Sequence, residues 1–406
     1  MALGPATLNT MDAHPPTPPG PAAPAKGAAP APGQIRLVIA DDSAFMRSAL
    51  QRLLGPAGDI AVVGVAKDGL EALRLCKDLR PDVLTMDVEM PNLDGLGALR
   101  RIRLECPVVP RIIMLSSLTA AGSATALTAL RMGAADVIGK PGGFSAAPDL
   151  RLVQGEIISK IRAIARSGAG LLGGLGRGPA TAGGVIPPKP AVLQALTPGL
   201  LAIGSSTGGP PVLETLLTAL PKGIAFPVVV AQHMPPIFTK SLAARLKEIC
   251  GPEVVHAEHG MPVRAGVIYI APGSLHMRVV RAASGRLETD ISESPATEVY
   301  RPSVSELFAS AARVAGPRVL AVICTGIGDD GTSGARALRD AGGRVIAQDA
   351  STCVVYGMPR SVIEAGLAAA AGSPEEIAQF LARSSGVQGP AGAPPGTPEQ
   401  MNRAVA

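Results

Sequence analysis

Short apolar runs alternate with segments of helical period in two separate regions of this chain, and the alternation limits the folds it can adopt. In the first region the predicted strands are Ile35 to Ala40, Ile60 to Ala66, Val83 to Met86, Arg111 to Leu115 and Asp136 to Ile138. The predicted helices are Ser43 to Leu54, Gly69 to Leu79, Gly95 to Glu105, Gly122 to Met132 and about Asp149 to Arg166. Strands joined by helices pair in parallel, with crossovers that cover both sheet faces. The sequence therefore predicts an α/β fold with five parallel strands here.

A second alternating region begins at Gly199. Its strand-like segments read LLAIG, AFPVVVA, VIYIAP, RVLAVICTG and RVIAQD, and a closing helix is predicted from Pro374 to Ala382. A chain of 406 residues is longer than the usual size of a domain with one hydrophobic core. We therefore expect a second doubly wound α/β domain.

Glycine and proline mark the segments that lie outside these two regions. The chain has 48 Gly and 39 Pro, about a fifth of its residues, against a usual share of roughly 12%. Segments of such composition bury too little apolar surface to offset the entropy of ordering. The sequence predicts a disordered tail at 1–33, a domain at 34–155, a helix end and flexible linker at 156–198, a domain at 199–383 and a disordered tail at 384–406.

Composition argues against several classes of protein. The five cysteines are widely spaced and lack CxxC or Cys/His ligand spacing, so neither a disulfide framework nor a zinc site is predicted. Aromatic residues are 2% of the chain and Trp is absent, which disfavours a base-stacking nucleic-acid surface despite the net charge of +5. The sequence shows neither a signal peptide nor an apolar run long enough to span a membrane. We expect a cytoplasmic protein without membrane insertion.

Acidic residues follow two predicted strands of the first region at the ends where ligands bind in parallel sheets. Asp41 and Asp42 follow the first strand and Asp87 follows the third. Three converging carboxylates favour a hard cation such as Mg²⁺, beside which a carboxylate can accept a phosphoryl group. Ser116 at the end of the fourth strand and Lys140 after the fifth could bind phosphoryl oxygens. A single Asp after a strand is most often a cap or turn residue, so the ordered set carries this hypothesis.

The segments LVIADDSAFMR, VLTMDVEMPNLDGL, IIMLSSLT and GAADVIGKP resemble a response-regulator receiver domain, a flavodoxin-like fold, over residues 34 to about 155. The resemblance implies that Asp87 is the phosphorylation site, that Asp41 and Asp42 join it in holding Mg²⁺, and that Ser116 and Lys140 are the switch residues. Val137 departs from the family pattern, because many receivers carry a mobile aromatic side chain there.

The second region offers a candidate nucleophile on a glycine-rich turn between a strand and a helix. Ser206 lies in the run 204–209, GSSTGG, which matches G-x-S-x-G but lacks the lysine of a P-loop and the spacing of a dinucleotide-binding fingerprint. A serine needs a base, and His233 is the histidine that directly follows a predicted strand. Asp329 and Asp330 both follow a later strand, so the residues alone leave the orienting acid open between them.

The segments LLAIGSSTGGP, VVVAQHM, YIAPGSLHM, YRPSVSELF and ICTGIGDDGTSGA resemble the catalytic domain of the chemotaxis methylesterase CheB, over roughly residues 199–383. The resemblance implies Ser206 as nucleophile, His233 as base and Asp330 as orienting carboxylate. It also implies oxyanion-side support from Thr207 and the backbone around Ile327, although Ile327 replaces a Met common there. His276 is predicted to lie in a loop after the segment VIYIAP. Arg301 and His276 are expected near the active face without an assigned role.

The two resemblances together imply a phosphorylation-activated serine esterase that demethylates glutamate methyl esters, and deamidates certain glutamines, on chemoreceptors. The implied partners are methyl-accepting receptors as substrates and a chemotaxis histidine kinase as phosphodonor; the esterase step itself needs no cofactor. Two other classes of protein are alternatives: a phosphorylation-switched scaffold that has lost catalysis, and a DNA-binding response regulator. The intact set of serine, histidine and aspartate disfavours the scaffold. The α/β pattern of the region after Gly199 disfavours the DNA-binding regulator.

Overall fold

The computed structural model describes residues 33–140, 154–172, 187–194 and 197–387. The first domain contains strands β1 (Ile35–Ala40), β2 (Ile60–Ala66), β3 (Val83–Asp87), β4 (Arg111–Ser117) and β5 (Asp136–Lys140). Its helices are α1 (Ala44–Leu54), α2 (Gly69–Leu79), α3 (Gly95–Glu105), α4 (Ala120–Arg131) and α5 (Gln154–Leu172). The strands form one parallel sheet in the order β2-β1-β3-β4-β5. This confirms the predicted five-stranded fold.

The second domain is built on a seven-stranded parallel sheet. Its strands are β6 (Leu200–Ser205), β7 (Val228–Gln232), β8 (Glu253–His256), β9 (Val267–Ile270), β12 (Val319–Ile323), β13 (Arg344–Gln348) and β14 (Ala370–Gly372). An antiparallel hairpin pairs β10 (His276–Arg281) with β11 (Leu287–Ser292). The helices are α6 (Gly209–Thr218), α7 (Pro236–Ile249), α8 (Val304–Ala315), α9 (Thr332–Asp340), α10 (Met358–Glu364) and α11 (Pro374–Arg383). Both faces of the sheet are covered, as in a doubly wound fold.

The strand order of the second sheet, β14-β13-β12-β6-β7-β9-β8, decides where a ligand can bind. The chain leaves β6 toward β7 on one side and returns to β12 on the other side. Ligands in open parallel sheets bind beyond the carboxyl ends of strands at such a change of direction. The loops that follow β12, β6 and β7 therefore frame the site.

Some expectations from the sequence need correction. The sequence predicts a loop at His276, but His276 is the first residue of β10. The sequence pattern also does not predict the β10–β11 hairpin or the strands β8 and β14. Helix α5 continues to Leu172 into the predicted linker, because that stretch holds no proline to stop it. Ser384 and Ser385 are buried at the end of α11 rather than loose. Residues 1–32 and 388–406 of the predicted tails, residues 173–186 and 195–196 of the predicted linker, and the start of the fifth predicted helix lie outside the described residues.

The two domains pack against each other through α4, β5 and α5 of the first. One apolar cluster continues from Leu127 of α4 to Phe238 and Leu242 of α7. A second cluster joins Ile161 of α5 to Val355 of the second domain. Polar contacts border these clusters, including Ser123 with Ser241 at 2.6 Å between hydroxyl oxygens. Within the described ranges, no helix combines the length and apolar character that crossing a membrane requires.

Candidate active site

Carboxylates from β1 and β3 meet at the carboxyl edge of the first sheet. Asp41 and Asp87 are buried, Asp42 is exposed, and ligand atoms of all three lie within 4.8 Å of one another. Burial raises the pKa of Asp87 to about 6, although the Lys140 ammonium opposes that shift. An all-oxygen set of this kind fits a hard divalent cation such as Mg²⁺.

Lys140 reaches this pocket and Ser116 does not. Lys140, the last residue of β5, places its Nζ 2.8 Å from Asp41 Oδ2 and 2.6 Å from Asp87 Oδ2. Burial would lower the pKa of Lys140, but the charges of Asp87 and Asp41 prevail and raise it. The buried Ser116 hydroxyl instead donates to the carbonyl of Gly122 at 2.9 Å. The hydroxyl expected to bind a phosphoryl group is therefore turned toward α4.

Ser206 lies on the tight turn between β6 and α6, beyond the central strand of the second sheet. Its N–H donates to the carbonyl of Thr325 at 3.0 Å, and its carbonyl accepts from Gln232 Nε2 at 2.9 Å. Gly208 has a φ of 77°, a left-handed conformation that glycine adopts without strain. The turn is fixed to the neighbouring strands, while the backbone N–H groups of Thr207 and Ile327 make no hydrogen bond to any described residue.

His233 follows β7 and contacts Asp330, which follows β12. The distance from His233 Nε2 to Asp330 Oδ2 is 2.9 Å, and both side chains are buried. Burial would raise the pKa of Asp330, but hydrogen bonds from His233 and from backbone N–H groups hold it below its usual value. Nε2 therefore carries the proton, and the lone pair lies on Nδ1, which is buried and has no hydrogen-bond partner among described residues. Asp329, the other candidate acid, contacts no histidine in the described part of the chain.

The remaining histidines do not compete for this role. His256 Nε2 lies 3.2 Å from Thr239 Oγ1, and His259 Nδ1 lies 3.4 Å from Asp290 Oδ1. His276 is fully buried behind the site. His14 falls outside the described residues. His233 alone among the described histidines combines an aspartate partner with a position beside the Ser206 turn.

Tyr300 covers the imidazole of His233 and helps to shape the cavity in front of it. The two rings are stacked with centroids 4.5 Å apart and an interplanar angle of 7°. The cavity has a volume of about 670 Å³ and is lined by His233, Tyr300, Arg301 and Ile327. Gly155, Glu156, Ser159 and Lys160 of α5 form its opposite wall. The first domain thus closes one side of the candidate site.

A direct polar contact links the first domain to the residue after Ser206. The Thr207 hydroxyl donates to Asp136 Oδ2 at 2.6 Å, and both residues are buried. Lys160 Nζ lies 3.0 Å from the same oxygen and 2.9 Å from Glu156 Oε1. The contact holds the Thr207 side chain against the first domain rather than toward the cavity.

Several residues that lie around the site are not predicted from the sequence. Gln232 directly precedes His233, and it could have been predicted as a site residue because it is the polar end of an otherwise apolar strand. Asp136, Lys160 and Tyr300 belong to segments distant in sequence, so spacing along the chain gave no indication of their contact with Thr207 or His233. Their positions depend on how the two domains and the loop before α8 pack.

Comparisons with known proteins agree with this architecture. A family model described as CheB methylesterase matches residues 201–381, and one described as response regulator receiver domain matches residues 37–147. A Lawsonia intracellularis protein named protein-glutamate methylesterase/protein-glutamine glutaminase is 40% identical over 356 residues, covering 86% of this chain and 98% of that protein. A Thermotoga maritima protein of the same name is 44% identical over 338 residues, covering 82% and 94%.

Among solved structures, the Thermotoga maritima CheB methylesterase catalytic domain is 43% identical and covers 46% of this chain and 98% of its own, with a TM-score of 0.44. The curated relatives match along nearly their entire length, across both domains. The chain therefore belongs to the CheB methylesterase family, with a response regulator receiver domain ahead of the methylesterase domain.

Proposed function

We propose that this chain is a phosphorylation-activated serine esterase that demethylates glutamate methyl esters on chemoreceptors and deamidates certain receptor glutamines. The observation that carries the proposal is the 2.9 Å contact between His233 Nε2 and Asp330. It leaves the buried Nδ1 beside the Ser206 turn without a hydrogen-bond partner among the described residues. The names of the relatives, protein-glutamate methylesterase/protein-glutamine glutaminase, supply the substrate class.

The chemistry follows from these positions. Ser206 Oγ attacks the ester carbonyl while His233 Nδ1 accepts its proton. Methanol leaves with that proton, and water then attacks the acyl-enzyme through the same base. The N–H groups of Thr207 and Ile327, which make no hydrogen bond to the described part of the chain, are the proposed donors to the oxyanion. With a glutamine side chain, ammonia leaves in place of methanol.

Asp330 keeps its negative charge throughout the proposed reaction. Its pKa lies below the usual range, so at neutral pH it stabilises the imidazolium of His233 by charge and does not take up the proton. The Ser206 hydroxyl makes no hydrogen bond to His233 in this structure. Such contacts are often long before substrate binds, and here the receiver domain also holds the adjacent Thr207.

Control by phosphorylation is proposed to act through β5. Phosphate from a histidine kinase would be transferred to Asp87, with Mg²⁺ held by Asp41, Asp42 and Asp87 to neutralise its charge. Strand β5 carries Lys140, which contacts Asp87, and four residues earlier Asp136, which contacts Thr207. At roughly 3.3 Å per residue these contacts are only about 13 Å apart along one strand. A new partner for Lys140 would thereby disturb the contact that restrains Thr207.

A methanol-release assay tests the proposed function. Full-length protein is incubated with receptor membranes that carry radiolabelled methyl esters, with and without a small phosphodonor and Mg²⁺. We expect release by the wild type and by Ser284→Ala, an exposed serine of the β10–β11 turn, and none above background by Ser206→Ala. Equal release by Ser206→Ala would refute the nucleophile assignment. Absence of release by phosphorylated wild type would favour the scaffold alternative.

A further inference from the structure

The carboxylate of Asp330 accepts hydrogen bonds from four donors in addition to His233. Its Oδ1 accepts from Ser303 Oγ at 3.1 Å, Ser305 N at 2.9 Å and Gly331 N at 2.8 Å, and its Oδ2 accepts from Val304 N at 2.7 Å as well as from His233. A carboxylate offers about four lone-pair directions, so this one is saturated. Three of the donors belong to the first residues of α8 and its N-cap.

The start of α8 approaches the sheet unusually closely at this point. A Cβ atom on Gly204 of β6 would lie 2.1 Å from Val304 Cγ1, so only glycine permits the approach. The unpaired N–H groups at a helix start favour a negative charge, and Asp330 supplies it. The fold thus brings the start of α8 and the Asp330 carboxylate together beyond β12, the strand that neighbours β6 and its Ser206 turn.

His276 supports this helix start from behind. Its side chain is fully buried on β10, and its Nδ1 accepts from the N–H of Ser303, the N-cap residue, at 3.2 Å. That N–H precedes the helix and has no partner within it. Burial lowers the pKa of His276, which keeps Nδ1 able to accept. No part of the proposed mechanism uses this histidine.

We propose that His276 and Ser303 are positioning residues for the Asp330 carboxylate. His276 fixes the N-cap backbone, the Ser303 hydroxyl then points at Asp330 Oδ1, and the carboxylate in turn orients the His233 ring. The inference rests on the proposed role of Asp330. It gives a role to a fully buried histidine that the proposed reaction does not use.

Paired substitutions test the acceptor role. The side-chain oxygen of Asn can occupy the place of Nδ1, whereas Leu fills the space without an acceptor. We expect His276→Leu and Ser303→Ala each to lower kcat for methanol release by about 10-fold, with KM within about 2-fold, the effect of roughly one hydrogen bond. His276→Asn should keep kcat within about 3-fold of wild type.

The matched control is Ser310→Ala. Ser310 is a buried serine of α8 that also bonds β10, by accepting from Val279 N at 3.0 Å, but it does not contact Asp330. Its removal should cost stability without lowering kcat. If Ser310→Ala and His276→Leu lower kcat alike, or if His276→Asn is as impaired as His276→Leu while both remain folded, the positioning role is refuted.

A second readout does not depend on turnover. In protein labelled with ¹⁵N at its five histidines, the His233 Nε2 proton that bonds Asp330 should be protected from exchange with water. His276→Leu should increase its exchange rate and Ser310→Ala should not; unchanged exchange in His276→Leu would overturn the inference. Loss of activity in Ser206→Ala together with unaffected His276 variants would refute this inference alone and leave the proposed function intact.

Discussion

The contact between Asp136 and Thr207 makes a quantitative prediction about basal activity. Asp136 Oδ2 accepts from the Thr207 hydroxyl and faces Lys160, while its Oδ1 accepts from the N–H of Val137 at 2.8 Å. In Asp136→Asn, the amide group must point its N–H₂ either at Lys160 and Thr207 or at Val137 N–H. In the first orientation the amide N–H₂ faces the Lys160 ammonium, and in the second it faces the N–H of Val137. Two donors face each other in both cases, so the substitution weakens the link between the domains.

The size of the effect follows from the type of bond. A buried hydrogen bond to a charged acceptor contributes about 1.5–3 kcal/mol net, and a loss of about 2 kcal/mol changes an equilibrium roughly 30-fold. If the receiver domain restrains the site through this bond, the unphosphorylated variant should release methanol up to about 30-fold faster than wild type. The rate of the phosphorylated wild type sets the upper limit.

The assay compares full-length proteins with and without phosphodonor. The matched control is Arg131→Gln, which breaks the 3.3 Å pair with Glu214 at the same interface. The Arg131 side chain is 49% exposed, so this pair contributes at most about 1 kcal/mol and the basal rate should rise less than about 5-fold. A basal rate for Asp136→Asn equal to wild type, in a protein that still accepts phosphate, would refute the proposed restraint on Thr207.

Three further predictions concern other groups. Asp330→Asn should reduce methanol release at least about 100-fold and Asp329→Asn less than about 5-fold, because only Asp330 contacts His233; the reverse order would move the acid by one residue. Asp87→Asn should keep basal activity and lose stimulation by phosphodonor, whereas stimulation that persists would place control elsewhere. Burial raises the pKa of Cys76 to about 12 and of Cys250 to about 11, so both thiols stay protonated at pH 8. Mass spectrometry should detect alkylation of Cys76 and Cys250 by iodoacetamide only after unfolding. Rapid modification of either thiol in the native protein would contradict this prediction.

Much of the candidate site could be predicted because its residues lie at the ends of strands. Each of them follows or ends an apolar run, and the alternation of runs and helices places such ends at the carboxyl edge of a parallel sheet. Asp41 and Asp87 lie at that edge of the first sheet, and Ser206, His233 and Asp330 lie beyond that edge of the second. Choosing Asp330 over Asp329 needed the family resemblance. The structure places Asp330, and not Asp329, within hydrogen-bond distance of His233.

The hairpin and the polar support of the site could not be predicted in the same way. Strands β10 and β11 mix apolar and charged residues, since only one face of the hairpin packs on α8. The sequence pattern therefore predicts a loop at His276 where the structure has a strand. Its bond to Ser303 joins residues 27 apart in sequence. Local periodicity does not report such a pairing, because it depends on how α8 packs across β6 and β10.

The sequence by itself determined two α/β domains with parallel sheets, the residues at the ends of their strands and the family that the domains resemble. These features follow from local periodicity and short motifs. The tertiary structure decided that β12, β6 and β7 are neighbours, so that three separate loops share one site. It also decided that Asp136 of the receiver domain contacts Thr207. Both depend on long-range packing of apolar faces, which fixes the partner of each face only when the whole chain is folded.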